Sequence, residues 1–239
     1  MIFSHKVPTG MADILANLNR VQERVAAAAR RAGRSPEEIR LVAVSKTVGA
    51  ERVREAIAAG AKILGENYVQ EAQKKIEAVG HGIAWHFIGH LQTNKAKVAA
   101  RLFDLIHSVD SLSLAEELDK AAKKQGRILP VLLQISLSEE TTKFGAKERE
   151  IFRMAESLAT MEGIRVEGLM TMPPYFEDPE AARPYFGALR ELSERLARQK
   201  IPRILMKELS MGMSNDFEVA IEEGSTLVRV GTAIFGQRT

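Results

Sequence analysis

Leu41-Val42-Ala43-Val44-Ser45-Lys46-Thr47 is a short apolar run that ends on a lysine. Its length and branched side chains suit a buried strand. The pattern returns seven more times, near 62–65, 84–88, 105–109, 129–135, 166–170, 205–209 and 226–230. Amphipathic stretches separate the runs, at 50–59, 68–79, 93–101, 112–124, 146–161, 178–199 and 214–223. Strands that alternate with helices form a parallel sheet, because each crossover must carry the chain back along the sheet. Eight such strands close into a barrel filled by side chains. An open doubly wound sheet is the alternative, but no glycine-rich dinucleotide turn follows the first strand. The expected fold is therefore α/β, a (β/α)8 TIM barrel, with residues 1–239 forming one domain.

Ahead of the barrel, Met11, Ile14, Leu15, Leu18, Val21, Val25, Ala28, Ala29 and Ala32 recur at helical spacing, and Gly33 is a natural stop. The chain runs only nine residues past the eighth strand, too few for a full closing helix. The additional N-terminal helix, about 11–32, is expected to cover that place.

Composition narrows the function. The 239 residues are 45% hydrophobic and 27% charged, enough for a sizeable core. The absence of cysteine excludes disulfides and thiolate metal sites. No His, Asp or Glu group has metal-ligand spacing, so no metal is expected. No run approaches the roughly 18 apolar residues of a membrane span, and residues 1–8 lack a signal-peptide core. A cytoplasmic protein is expected. The net charge is only +3 and interspersed, and the basic group from Lys95 to Arg101 reads as a solvated helix face. With 5% aromatic residues and no stacking platform, nucleic acid is not an expected partner. No large apolar helix face is left over, which suits a monomer.

In a barrel of this kind the C-terminal ends of all strands open on one face, where chemistry is done. Those ends offer Lys46, then Gly65-Glu66-Asn67, Gly89-His90-Leu91-Gln92, Ser108-Val109-Asp110 and Ser136. The sixth gives Met170-Thr171-Met172, the seventh Ser210-Met211-Gly212-Met213-Ser214, and the eighth Arg229-Val230-Gly231-Thr232. Ser214 reads as the N-cap of helix 214–223, whose first N–H groups would face an anion. Gly212 and Gly231 let backbone approach a ligand, and Thr232 adds a hydroxyl. Barrels often bind phosphate just after strands seven and eight. Taken singly, each has a plain reading: a surface lysine, a helix cap, a turn asparagine at Asn67, a loop histidine at His90. Together, an amine and a phosphate cradle suit a phosphorylated carbonyl compound held as a Schiff base.

The segments VAVSKT at 42–47, GENYVQE at 65–71, WHFIGHLQTNK at 85–95, GLMTM at 168–172, LSMGMSNDFEVAI at 209–221 and VRVGTAIFG at 228–236 carry a resemblance across nearly the whole chain. It is similar to the pyridoxal phosphate homeostasis proteins, single-domain relatives of the N-terminal barrel of alanine racemase. The resemblance implies a fold-type III site for pyridoxal 5′-phosphate. Lys46 would hold the cofactor as an internal aldimine. Ser214, Gly231 and Thr232, with the backbone of Met213, would bind its phosphate. Arg229 would face the pyridine nitrogen, and Asn67, His90 and Ser210 would line the pocket. The chain departs from the family pattern at Ser136, at Val48-Gly49 and at Thr142-Lys143-Phe144-Gly145, all in loops.

The implied role is cofactor buffering or delivery, with PLP-dependent apoenzymes as possible recipients and no robust catalysis. An arginine beside the pyridine nitrogen cannot accept its proton, so the ring is a weaker electron sink. Alanine racemase takes a second base, a tyrosine, from another domain and its partner subunit, and no such domain is expected here. Tyr68 and Tyr175, just past strand ends, keep a weak racemase as the alternative. A Schiff-base aldolase is a third reading.

Overall fold

The computed structural model describes residues 9–137, 145–146 and 148–237. Residues 1–8 and the departing segment Thr142-Lys143-Phe144 lie outside the described residues. The eight strands are β1 (Arg40–Val44), β2 (Ile63–Glu66), β3 (Ala84–Phe87), β4 (Leu105–Val109), β5 (Leu129–Ile135), β6 (Ile164–Thr171), β7 (Ile204–Ser210) and β8 (Leu227–Val230). All neighbours are parallel and the sheet closes, with Leu41 opposite Val228 and Ala43 opposite Val230. The closed TIM barrel matches the expected fold, each strand within about two residues of its expected bounds.

The outer layer holds α1 (Thr9–Arg31), α2 (Ala50–Ala58), α3 (Val69–Val79), α4 (Ala96–Leu102), α5 (Leu112–Lys124), α6 (Glu148–Leu158), α7 (Arg183–Arg198), α8 (Phe217–Glu222) and α9 (Thr232–Phe235). Three of these correct the sequence reading. The 178–199 stretch divides into a 3-10 turn at Pro179–Ala182, capped by Asp178 on the Glu180 N–H, and then α7 with Pro184 in its first turn. Helix 214–223 shrinks to α8, because 213–216 is a tight turn. There the Asp216 carboxylate accepts the Met213 N–H at 2.6 Å, and the Phe217 N–H reaches the Met213 carbonyl. The four-residue α9 was not foreseen, being too short to show periodicity.

The alternation along each strand sorts side chains between two cores. Val42, Ile63, Leu105, Leu132, Met170 and Leu227, from six strands, meet as a separate apolar cluster inside the barrel. Ala43, Leu64, Trp85, Phe87, Leu133 and Val228 point the other way and pack under the helices. On β1 the inward parity runs Val42, Val44, Lys46. On β2 it runs Ile63, Gly65, Asn67, and on β8 Leu227, Arg229, Gly231. The same parity that buries the apolar layer therefore delivers Lys46, Asn67 and Gly231 to the open end.

Helix α1 covers the place that α9 is too short to fill. Its buried stripe is Ile14, Leu18, Val21, Val25, Ala28 and Ala29, and it packs on α2, α8 and α9. Asn17 donates to the Ile234 carbonyl at 3.1 Å, and Arg24 pairs with Glu218 at 2.8 Å while lying over the Phe217 ring. Just past the helix, Arg34 donates to the carbonyls of Ile221 and Ser225. Among the described residues, no helix is long and apolar enough to cross a membrane.

Candidate functional site

A cavity of about 1120 Å³ opens at the C-terminal ends of the strands. Lys46, Asn67 and His90 line it from β1 to β3, and Met213, Ser214, Arg229, Gly231 and Thr232 from β7 and β8. Eight of the nine expected site residues therefore share one space. The ninth, Ser210, is fully buried and does not line it. Its parity is right, but it sits one inward position below Gly212, opposite Leu227 of β8, with its hydroxyl within reach of the Arg229 guanidinium.

Ser210 instead holds Arg229. The guanidinium donates through Nη1 to Ser210 Oγ at 2.5 Å and through Nη2 to the Thr171 carbonyl at 2.9 Å. Burial lowers the Arg229 pKa to about 10, with Asp216 acting in the opposite sense. Arg229 thus remains a cation and a donor at neutral pH. Arginine can only donate, so Ser210 Oγ accepts from it, and the same oxygen also shares a hydrogen bond with His107 Nδ1, 2.8 Å away. His107 Nε2 lies 2.9 Å from His86 Nδ1, so one ring donates to the other. A hydrogen-bonded chain thus runs from the cavity floor across the barrel.

Burial favours the neutral form of both rings: it pushes His86 down to about 3 and His107 well below its usual value. The unfolded chain would bind both protons near pH 6.5, whereas the native state refuses them. Stability is therefore expected to fall as pH drops below about 6.5, with a slope approaching about 1.4 kcal/mol per pH unit for each histidine. Buried Glu66 and Asp216, whose carboxyls are raised, oppose the loss nearer their own range. Denaturant unfolding at pH 7.5, 6.5 and 5.5 checks this; a flat profile would mean that the histidines are charged or wet.

The β7–β8 side differs from the expected cradle in two details. Ser214 does not cap α8; its Oγ accepts the Gly231 N–H at 3.3 Å, tying the two loops together. The Met213 N–H is already taken by Asp216, so it is not an open donor in this arrangement. Gly212 has φ +90, and a Cβ there would press on Phe217 and Ala220, so only glycine allows this turn to pack. In α9 the Ile234 and Phe235 N–H groups already bond the Gly231 carbonyl, which leaves those of Thr232 and Ala233 at the helix start.

Asn67 Oδ1 is buried and has no hydrogen-bond partner among the described residues. The side chain lines the cavity, but this oxygen is itself shielded from the open space. Gly89 packs so tightly on the Asn67 backbone that a Cβ would collide with it. His90 lies beside Asp110, Nδ1 to Oδ2 at 3.5 Å, at the rim. Of the methionines, Met170 and Met211 are core, while Met172 and Met213 line the cavity. Lys95, read from sequence as part of a solvated face, also lines it, as do Tyr68 and Tyr175. The two tyrosines follow from their positions just past strand ends, whereas only loop geometry could have placed Lys95. Among the described residues, no cluster of His, Asp and Glu could hold a metal ion.

The comparisons with known proteins agree with this geometry. Residues 16–239 match the family model described as alanine racemase, N-terminal domain. The pyridoxal phosphate homeostasis protein of Aquifex aeolicus is 46% identical over 222 residues, covering 92% of this chain and 96% of that protein. The Escherichia coli K12 protein of the same name is 44% identical over 232 residues, covering 95% and 98%. Among solved structures, PipY of Synechococcus elongatus with PLP bound superposes with a TM-score of 0.82 at 35% identity, covering 93% of this chain and all of that one. An alanine racemase from Clostridium difficile, at TM-score 0.73 and 18% identity, shows the shared fold alone. The chain therefore belongs to the alanine racemase N-terminal domain family and, within it, to the pyridoxal phosphate homeostasis proteins.

Proposed function

We propose that this chain binds pyridoxal 5′-phosphate, holds it covalently through Lys46, and buffers or delivers it rather than turning over a substrate. The observation that carries the reading is the meeting of Lys46, Arg229 and the Ser214–Gly231–Thr232 group in one cavity. The cofactor supplies an aldehyde, which condenses with a lysine amine to an imine with loss of one water. Lys46 is the inward amine at the end of β1. Ser214, Thr232 and the first N–H groups of α9 offer donors for a phosphate. A phosphorylated aldehyde satisfies both. PLP is also what the PipY relative holds.

The carrier reading rests on two features. Arg229 stays a donor, so it disfavours a protonated pyridine ring and weakens the electron sink. Tyr68 and Tyr175, the candidate second bases, are 58% and 76% exposed. A phenol so washed by solvent is neither held in place nor shielded from water, both of which proton abstraction requires. Their presence in the cavity lining still supports a weak racemase as the second reading.

Titrating the purified protein with PLP, adding an apo PLP enzyme, and assaying racemisation across many amino acids tests the proposal. The expected result is a stoichiometric imine band, reactivation of the apoenzyme, and no racemisation near the roughly 10 s⁻¹ of an ordinary enzyme. A protein that stays colourless with added PLP would overturn the binding reading. Ordinary turnover lost in Tyr68→Phe or Tyr175→Phe would make it a racemase.

A further inference from the structure

We infer that Lys75, on α3 outside the barrel wall, positions Lys46 by pinning the backbone on both sides of it. The inference rests on the reading of Lys46 as the cofactor-holding residue. Ser45 and Glu66 point away from the barrel interior, into the layer beneath α3, where Lys75 is also buried. The Lys75 ammonium donates to the Ser45 carbonyl at 2.5 Å, to Glu66 Oε1 at 2.7 Å and to Glu71 Oε1 at 2.6 Å. All three of its protons are used. Both carboxylates reach onward to the same turn. Glu66 Oε1 accepts the Ser45 hydroxyl at 2.6 Å, and Glu71 Oε1 accepts the Thr47 N–H at 2.6 Å. The residues before and after Lys46 are thus tied to one ammonium.

Thr47 shows what the clamp imposes. Its φ is +63, a left-handed conformation that a β-branched residue rarely adopts. Such a conformation persists only where its surroundings over-determine it. Here the pinned Thr47 N–H and Ser45 carbonyl do so, and the chain turns sharply on leaving β1 at Lys46.

Stability alone does not explain the arrangement. The Glu66 and Lys75 side chains are 0% and 7% exposed, and such ion groups are often no more stabilising than apolar residues of the same size. Glu66 Oε2 is buried with no partner among the described residues, so the network is not optimised for its own satisfaction. What distinguishes it is where its hydrogen bonds end.

The test is the double variant Lys75→Met/Glu66→Gln, which removes the ammonium together with the buried charge it offsets. Glu71 is 26% exposed and can be solvated. Three readouts are compared with wild type: denaturant stability, cofactor-free hydrogen exchange over 45–48, and the rate of PLP loss to a competing apoenzyme. Stability close to wild type is expected, with exchange and release each roughly ten- to a hundredfold faster. Wild-type exchange and release in a folded double variant would overturn the inference. Glu71→Ala, which cuts the Thr47 tie and the Glu71–Lys75 pair from a partly exposed position but leaves Lys75 on Ser45 and Glu66, gives the same readouts if the double variant does not fold. If wild type takes up no PLP, the functional proposal fails, while the exchange measurement still decides whether the clamp exists.

Discussion

Lys46→Ala is expected to abolish the imine absorbance of the PLP-loaded protein and to weaken its hold on the cofactor by roughly a hundredfold or more, about 2.8 kcal/mol. The side chain is the inward-facing residue two positions beyond Val44, so truncating it removes an amine without opening the apolar cluster below. Folding stability should change little. Desalting followed by spectroscopy separates the two effects. Borohydride reduction of the wild type, followed by peptide mass mapping, should place the label on Lys46. A label on Lys95, the other lysine lining the cavity, would move the covalent site to the β3 loop.

The second large effect is expected from Ser214→Ala combined with Thr232→Ala. Each hydroxyl offers one hydrogen bond to an ionised group, worth roughly 1.5–3 kcal/mol. Loss of both should reduce PLP affinity by at least about two orders of magnitude, if the contacts act independently. Ser214 also accepts the Gly231 N–H, so its loss frees one donor and loosens the link between the two loops. Binding of pyridoxal, which has no phosphate, should change far less than binding of PLP. Equal losses for both ligands would show that the two hydroxyls act on cavity shape rather than on the phosphate.

The barrel was legible because parallel strands covered on both faces are continuous apolar runs of fixed length, and eight of them leave few topologies. The strand-end rule brought Lys46, Asn67, Arg229 and Gly231 to one face for the same reason: inward parity is set by the apolar residues beneath them. Depth was not legible. Ser210 shares that parity but belongs one layer lower, where it serves Arg229 rather than the cavity. Ser214 looked like a helix cap because serine and aspartate both favour that role. Only the hydrogen bond from Met213 to Asp216 shows which one closes the turn. Lys75 was overlooked because Glu71 and Lys75, four apart on a helix, resemble an ordinary surface pair. Its burial follows from Glu66, a charged residue on an outward strand position under α3.

The contacts of α1 constrain how the chain reaches its native state. Asn17 and Ile234 lie 217 residues apart in sequence yet share a hydrogen bond. Closing a loop of that length costs about 2.7 kcal/mol more in chain entropy than closing a ~10-residue turn. During synthesis, the first helix emerges long before its partners α8 and α9 exist. The part of its apolar stripe that faces α8 and α9 stays uncovered until the last strand leaves the ribosome, while α2 can cover the rest earlier. The seam between β8 and β1 is thus a late event in folding, and the loops that carry Ser214, Gly231 and Thr232 are assembled with it. A nascent chain stalled before β8 would display Lys46 without the donors that complete its cavity, and would present α1 as a sticky surface to chaperones.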